Sequence, residues 1–264
     1  MIADSLFYVA ETLFANFSAH SWHNSHYSFI LRKEVCLSVA QEPNHPTVFP
    51  LHEQLPAAMI LAGVGGYMDA FSYLLHGNVF SSLQSGNVIL LGIHLARGQW
   101  ASSGHYLLPL AAFYLGAFLI TIIARYVHRP GQRRTHLVGV ITEIIILLAV
   151  ALFGAHLPDT VVIAMMSFTA AIQLSIFRKM KGQPYTTTMT TGNIQASAAH
   201  LANAAMGTGQ HAGQRSRDRL AVALGFGLGA FLSASLVPVL GQHAIIGGAA
   251  LLVIILVLLL REQR

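Results

Sequence analysis

The sequence has very few charged residues. Only 9% of its 264 residues are Asp, Glu, Lys or Arg, whereas 54% are hydrophobic and the mean hydropathy is +0.59. A soluble domain carries roughly 25% charged residues, which it needs to cover its surface. So low a charge content excludes a soluble globule of this size and indicates a surface that faces lipid.

Cysteine and enzyme signatures are also scarce. Cys36 is the one cysteine, which excludes an intramolecular disulfide framework and disfavours a thiolate metal site. The sequence contains no GxSxG, no HExxH and no phosphate-cradling glycine loop with its lysine. We therefore expect no catalytic residue, no metal and no cofactor, and we interpret the protein as a non-enzyme.

The basic residues are grouped rather than spread. The formal net charge is +5, and Lys and Arg occur in short clusters between apolar stretches. This placement is typical of the cytoplasmic loops of membrane proteins and not of a nucleic-acid-binding face. The expected partners are the lipid bilayer and a small molecule or ion, with no nucleic acid, and the sequence leaves a homo-oligomer open.

Residues 1–55 differ from the rest because they hold no apolar run near the roughly 20 residues that a span requires. His20, His23 and His26 have the spacing of metal ligands, but no carboxylate or thiol completes a set. We predict a polar N-terminal extension, either disordered or produced by a mis-assigned start.

From Pro56 onward, apolar segments of spanning length follow one another. This pattern predicts an all-α polytopic membrane protein with six transmembrane helices, at 56–75, 106–127, 137–156, 159–178, 219–240 and 243–260. Two further segments, 80–96 and 185–206, are shorter or more polar and are rich in Ser, Thr, Gly and Asn.

These two polar segments match each other. Residues 85–96 read SGNVILLGIHLA and residues 191–202 read TGNIQASAAHLA; the spans that follow contain FYLGAFL and FGLGAFL. Two matches in the same order indicate an internal duplication of roughly 105–115 residues. We predict a first membrane repeat at 56–156 and a second at 157–264.

The basic clusters predict the topology. Lys and Arg concentrate at 125–134, 178–181, 215–219 and 261–264, whereas the loops at 155–159 and 241–243 have none. All four clusters lie in the cytoplasm only if each polar segment enters and leaves the membrane on one side. This arrangement gives two inverted three-helix repeats, each with a re-entrant or broken Gly-Asn segment, and both termini in the cytoplasm.

Polar residues inside spans are costly and are functional candidates. Asp69 lies in the first span, where it either carries a proton or cation or is a structural carboxyl bonded to nearby hydroxyls. Asn87 and Asn193 either line a path or cap broken helices. The candidates for a substrate or ion path are Asp69, Gln173, Ser85, Gly86, Asn87, Thr190, Thr191, Gly192 and Asn193.

Three residues are weaker candidates for the path. His94 and His200 lie seven residues beyond the paired asparagines and so share a helix face with them. Such histidines either titrate near neutral pH or are packed and hydrogen-bonded. Glu143 has no counterpart in the last span, and we expect it near the cytoplasmic rim, close to His136.

The motifs GGYMDAFSYLLHGNVFSSLQSGNVILLGI and QLSIFRKMKGQPYTTTMTTGN resemble the YoaK family of bacterial membrane proteins, over about residues 56–260. The resemblance implies a shared fold and a bacterial inner-membrane location. It implies no substrate, because the family is of unknown function. The chain departs from the family in its long N-terminal extension and at Leu174, where the family tends to have a smaller residue.

We interpret the protein as a small secondary transporter or channel with its path at the repeat interface. The alternatives are an intramembrane enzyme or lipid-modifying protein that uses Asp69 with a histidine, and a non-transporting membrane scaffold. Transport predicts similar polar elements in both halves, whereas an enzyme predicts one asymmetric catalytic cluster. The matching Gly-Asn segments favour transport.

Overall fold

The computed structural model describes residues 49–127 and 132–262, so the expected N-terminal extension lies almost wholly outside it. The long helices are joined by short loops, and two shorter helices lie between them. In chain order the elements are α1 (Leu55–Leu75), α2 (Gln84–Ala96), α3 (Trp100–Val127), α4 (Gln132–Phe153), α5 (Asp159–Ile176), β1 (Lys179–Met180), β2 (Gln183–Pro184), α6 (Thr190–Ala205), α7 (Ala212–Leu240) and α8 (Ile246–Arg261).

Each of the six predicted apolar segments lies on a long helix or on α8, but several helices begin earlier than predicted. α4 begins at Gln132 rather than at 137, and α7 begins at Ala212 rather than at 219. Hydropathy marks only the apolar part of a helix, whereas Gln and Arg are good helix formers and extend it beyond that part.

A two-stranded hairpin between α5 and α6 was not predicted. β1 pairs antiparallel with β2, with Lys179 opposite Pro184 and Met180 opposite Gln183. Lys181 and Gly182 form the turn with φ values of 49° and 74°. Positive φ at both central residues is the requirement of a tight two-residue hairpin, and glycine meets it without strain.

The described part of the chain has the surface of a membrane protein. Five helical stretches are long and apolar enough to cross a membrane; the last, Ala212–Arg261, contains α7 and α8 joined by the 3-10 turn Gly241–Ile245. Large apolar side chains point outward, including Tyr114 at 75% exposure and Val239 at 80%. Such surfaces are rare on soluble monomers and suit lipid. The number of crossings stays a prediction.

Glycines allow α1 and α7 to pack closely. A Cβ at Gly229 would overlap the carbonyl oxygen of Gly63, and one at Gly66 would overlap that of Phe226. Gly225 likewise faces the backbone of Met59. Gly66, Gly225 and Gly229 therefore serve close contact between the two helices.

The matched motifs FYLGAFL and FGLGAFL occupy equivalent packing positions. Gly229 of α7 faces α1, and Gly116 of α3 faces α5, where a Cβ would lie 3.0 Å from the carbonyl oxygen of Phe168. The second long helix of each predicted half thus packs against the first helix of the other half. This exchange makes the two halves interdependent.

The long helices share two ends. At one end, which we call the basic end, His52 contacts Glu262 at 2.9 Å and Lys181 contacts Asp218 at 2.6 Å. Here α1, α4 and α7 begin and α3, α5 and α8 end. The basic clusters that the sequence assigned to one side, as far as the structure describes them, all lie near this end.

At the other end, which we call the His76 end, His76 joins three elements. Its Nδ1 lies 2.8 Å from Asp159 at the start of α5, and its Nε2 lies 3.1 Å from Gln242. Gln242 in turn donates to the carbonyl oxygen of Val150 in α4 at 2.9 Å. The loops without Lys or Arg lie here.

We predict that Gly229→Ala destabilises the protein, because the added methyl has no space against Gly63 and overpacking typically costs about 1–3 kcal/mol. Thermal unfolding of the purified protein measures the change. Gly227→Ala on the same helix is the matched control, since a Cβ there meets no atom within 4 Å. Equal stability of the two variants would show that α1 and α7 do not pack as described.

Candidate functional site

The first short helix, α2, is preceded by a segment that binds Asp69 of α1. We call residues 80–83 the first connector. Ser81 donates its hydroxyl to Asp69 Oδ1 at 3.0 Å, and Ser82 donates its backbone N–H to Oδ1 at 2.6 Å and its hydroxyl to Oδ2 at 2.7 Å. The carboxyl group is buried, with Asp69 only 5% exposed. It also lies at the N-terminus of α2, where the helix dipole favours negative charge.

Asn87 and Asn193 make the same bond in the two halves. Asn87 donates its amide to the carbonyl oxygen of Phe80 at 2.7 Å, and Asn193 donates to that of Thr186 at 2.8 Å, each seven residues upstream. Both asparagines are buried. Each therefore closes the loop that leads into its short helix, as expected of a residue that caps a broken helix.

The second connector, residues 186–189, leads into α6 and reaches the middle of α1. A Cβ at Gly65 would lie 2.8 Å from Thr188 Cγ2, so the glycine makes room for the threonine. Gln173 of α5 donates its amide to the carbonyl oxygen of Leu61 at 2.8 Å. Leu61 and Gly65 are one turn apart on the same face of α1.

The two connectors therefore meet α1 close together. Asp69, which holds the first connector, is four residues beyond Gly65, which holds the second, a separation of about 6 Å along the helix axis. α2 continues to the His76 end, where His94 contacts Tyr106 near the start of α3 at 3.0 Å. α6 continues to the basic end, where Ser197 contacts Ser216 near the start of α7.

The second connector has unpaired polar groups. Thr187 and Thr188 are 1% and 2% exposed, and their hydroxyls have no hydrogen-bond partner among the described residues. The same holds for the hydroxyl of Thr190 and for Oε1 of Gln173. Buried polar groups usually have partners, so four without one at a single place require an explanation.

Arg219 of α7 lies beside the second connector. It is 9% exposed and donates to Oδ1 of Asn193 at 3.4 Å and to the carbonyl oxygen of Pro184. The adjacent Asp218 is paired with Lys181. Within the described ranges, no carboxylate lies within salt-bridge distance of Arg219. A buried guanidinium without a carboxylate is costly unless another anion approaches it.

The remaining path candidates lie outside this cluster. Ser85, Thr191 and Gly192 are exposed on the outer faces of α2 and α6. Gly86 is half-buried, and a Cβ there would lie 2.9 Å from the ring of Phe80. The structure thus brings Asp69, Asn87, Thr190 and Asn193 to the connectors, bonds Gln173 to α1 and leaves the other four candidates at the edges.

The two histidines differ in their contacts. His94 is half-buried, lies 2.7 Å from Oε1 of Gln99 and stacks on Tyr106 with ring centroids 4.8 Å apart. This is the packed, hydrogen-bonded alternative. His200 is half-buried on α6, two turns beyond Asn193.

The expected position of Glu143 is wrong. It lies in the middle of α4 rather than at the rim, is fully buried, and neither carboxyl oxygen has a hydrogen-bond partner in the described ranges. Val140 and Leu147, on the same helix face, belong to the central apolar core. The prediction relied on the loop that is nearest to Glu143 in the sequence. His136, which lies near that loop, is two helical turns away from Glu143.

A cavity of about 420 Å³ opens at the basic end between α3, α4 and α5. His52, His136 and Arg125 are among its lining residues. The rings of His52 and His136 lie 4.6 Å apart, and His136 Nε2 is 3.1 Å from the carbonyl oxygen of Ile176. Neither in this cavity nor elsewhere in the described ranges is a group of three His, Cys, Asp or Glu residues arranged to hold a metal ion.

Sequence reasoning missed Ser81, Ser82, Thr187, Thr188 and Arg219. A signal for four of them was present, because the hydroxyl pairs Ser81–Ser82 and Thr187–Thr188 stand at the same distance before SGN and TGN. The duplicated motif therefore begins four residues before SGN and TGN, at Ser81 and Thr187.

The fold and the cluster define an all-α membrane protein with two short helices that start inside the bundle. The chain belongs to the DUF1275 family of proteins of unknown function, whose sequence profile matches residues 57–258. The family resemblance inferred from its motifs is thereby confirmed.

The chain is similar to the UPF0700 transmembrane protein YoaK of Bacillus subtilis (strain 168). The two are 24% identical over 138 residues, which cover 51% of this chain and 61% of the relative. The alignment thus spans less than two thirds of the relative. No solved structure matches the chain significantly.

We predict that Asn87→Ala and Asn193→Ala each lower the thermal stability of the protein. Each change leaves a connector carbonyl without its donor, which typically costs about 1–3 kcal/mol when the group is buried. Asn203→Ala, on the exposed surface of α6, is the matched control and should change little. Stability unaffected by the first two changes would mean that the connectors are not closed by these amides.

Proposed function

We propose that the protein is a small secondary transporter or channel whose path runs past the two connectors at the interface of two inverted repeats. One observation carries this proposal: the N-terminal ends of α2 and α6 approach α1 within about 6 Å of each other along its axis. Short helices that end inside the bundle, next to unwound backbone, form the substrate and ion sites of many transporters.

Contacts at both ends support the inverted arrangement. α1 ends at the His76 end, and α2 also leads to that end before α3 begins. α5 ends at the basic end, and α6 leads back to it before α7 begins. Non-helical backbone within a membrane protein is tolerated only where protein or a cavity surrounds it, which suits both connectors.

The enzyme alternative has less support. Asp69 is occupied by Ser81 and Ser82, and His94 is occupied by Gln99 and Tyr106. The carboxylate–histidine pairs in the described part of the chain, His76–Asp159 and His52–Glu262, lie at opposite ends. The scaffold alternative leaves the unpaired polar groups of the second connector without a role.

We also propose that the protein resides in the bacterial inner membrane with the basic end in the cytoplasm. The concentration of Lys and Arg at that end supports this orientation. Both termini would then lie in the cytoplasm, because Glu262 near the end of the chain contacts His52 near the start of α1.

Cysteine labelling tests the topology. In a Cys36→Ser background, Asn78→Cys and Gln99→Cys flank α2, and Gln183→Cys and Gln210→Cys flank α6; all four positions are exposed. We expect a membrane-impermeant maleimide to label the first pair only from outside the cell and the second pair only from the cytoplasmic face. Members of one pair on opposite sides would mean that the short helix crosses the membrane.

A flux assay in proteoliposomes tests the function. We expect the purified protein to move at least one solute of a metabolite library faster than protein-free liposomes do. Asp69→Asn keeps the size of the side chain but removes its charge, so we expect a folded protein whose uptake no longer depends on pH or cations. Gln195→Ala, on the exposed face of α6, is the control. Unchanged pH dependence in Asp69→Asn would make Asp69 purely structural.

A further inference from the structure

The two connectors have similar backbone conformations before their short helices, but only the first has a carboxylate that accepts from its hydroxyls. The residues before α2 and α6, Leu83 and Met189, have φ/ψ of −81°/72° and −95°/81°. With the matching asparagine bonds, this places Ser81 and Ser82 in register with Thr187 and Thr188. In the first half, both serine hydroxyls donate to the Asp69 carboxylate. In the second half, within the described residues, both threonine hydroxyls lack an acceptor.

Among the described residues, no carboxylate bonds to the hydroxyls of the second connector. α5 takes the place of α1 there, and it carries no Asp or Glu after Asp159 at its first residue. Gln173 of α5 donates to the carbonyl oxygen of Leu61, one turn before Gly65, on which Thr188 packs, and its Oε1 has no partner in the described ranges. This polar side chain of α5 is a neutral amide and therefore brings no negative charge to the second connector.

The charge beside the second connector is positive. Arg219 is buried, reaches Asn193 at the first turn of α6, and has no carboxylate partner in the part of the chain that the structure describes. The N-terminus of α6, a helix of 16 residues, adds its own positive potential. Buried hydroxyl donors, a helix N-terminus and a buried guanidinium with no carboxylate of the described residues within salt-bridge distance together favour an anion.

We propose that the second connector binds the carboxylate group of a small anionic solute, in the position that Asp69 occupies in the first connector. Thr187 and Thr188 donate to the carboxylate through their hydroxyls, and Arg219 supplies the compensating charge. The Asp69 carboxylate thus occupies in the first connector the position that the carboxylate of the bound solute takes in the second. Binding of the solute at this site does not depend on the proposed function. Only its transport does.

The site is closed in this structure. Thr188 packs on Gly65 and is 2% exposed, so a solute reaches the hydroxyls only when the second connector separates from α1. α6 leads from the second connector to the basic end. Lys181 and Arg178 lie at that end and would attract an anion there. Binding is therefore linked to a conformational change, which alternating access requires.

Acetate is the probe, with chloride at equal ionic strength as the reference. We expect the Tm of the purified protein to rise with acetate concentration and not with chloride, because a ligand that binds only the folded state stabilises it. No rise beyond that of chloride would overturn the proposal. An equal rise in both would overturn the assignment to a carboxylate.

Two variants locate the site. Thr187→Val/Thr188→Val removes the unpaired hydroxyls, so the protein should fold without acetate and bind acetate at least about tenfold more weakly, the loss of one or more charge-assisted hydrogen bonds. Gln173→Glu supplies an internal carboxylate and should abolish the acetate effect. Thr142→Val, on the exposed face of α4, is the matched control and should respond as the wild type does.

An acetate response unchanged in Thr187→Val/Thr188→Val would place the anion elsewhere and overturn the proposal. Failure of the binding test is distinct from failure of the proposed function. Acetate that stabilises the protein but does not cross proteoliposomes would keep the site and contradict transport of this probe. Flux of another solute, without a rise of Tm in acetate beyond that in chloride, would support transport and contradict the carboxylate site.

Discussion

The rest of the structure depends on the close approach that α1 permits. Gly63 and Gly66 let α7 pack on the backbone of α1, and Gly65 leaves room for the second connector one turn before Asp69 holds the first. A side chain at Gly65 or Gly66 would push apart elements that belong to different halves. Backbone contact of this kind replaces the hydrophobic effect, which does not drive helices together in lipid.

The two halves share a plan but differ in charge. Each has a first helix, a connector closed by a buried asparagine, a short helix and a long helix that packs on the other half. In the first half a carboxylate accepts from the connector; in the second an amide bonded to α1 and an arginine bonded to the short helix lie nearby. One fixed and one exchangeable anion at equivalent sites would leave one half rigid and the other able to open.

Much of this plan was predictable from the sequence, because it depends on local patterns. Apolar runs located the long helices, and the SGN and TGN matches located both short helices in the correct register. Contacts between distant residues were not predictable: the serines that bind Asp69 and the position of Arg219 follow from how helices pack. Glu143 was placed at the rim from its nearest loop, although depth depends on where the helix begins. The hairpin at Lys181 and Gly182 needed the turn conformation, which hydropathy does not report.

The second connector reaches the middle of α1, where Thr188 packs on Gly65. A disulfide between Gly65→Cys and Thr188→Cys, in a Cys36→Ser background, measures this approach, since a Cβ at Gly65 lies 3.5 Å from that of Thr188, at the short end of the disulfide range. We expect mild oxidation to protect both thiols from maleimide in the unfolded protein, whereas Gly65→Cys with the exposed Gly192→Cys should stay reactive. Two free thiols in the first pair after oxidation would contradict it.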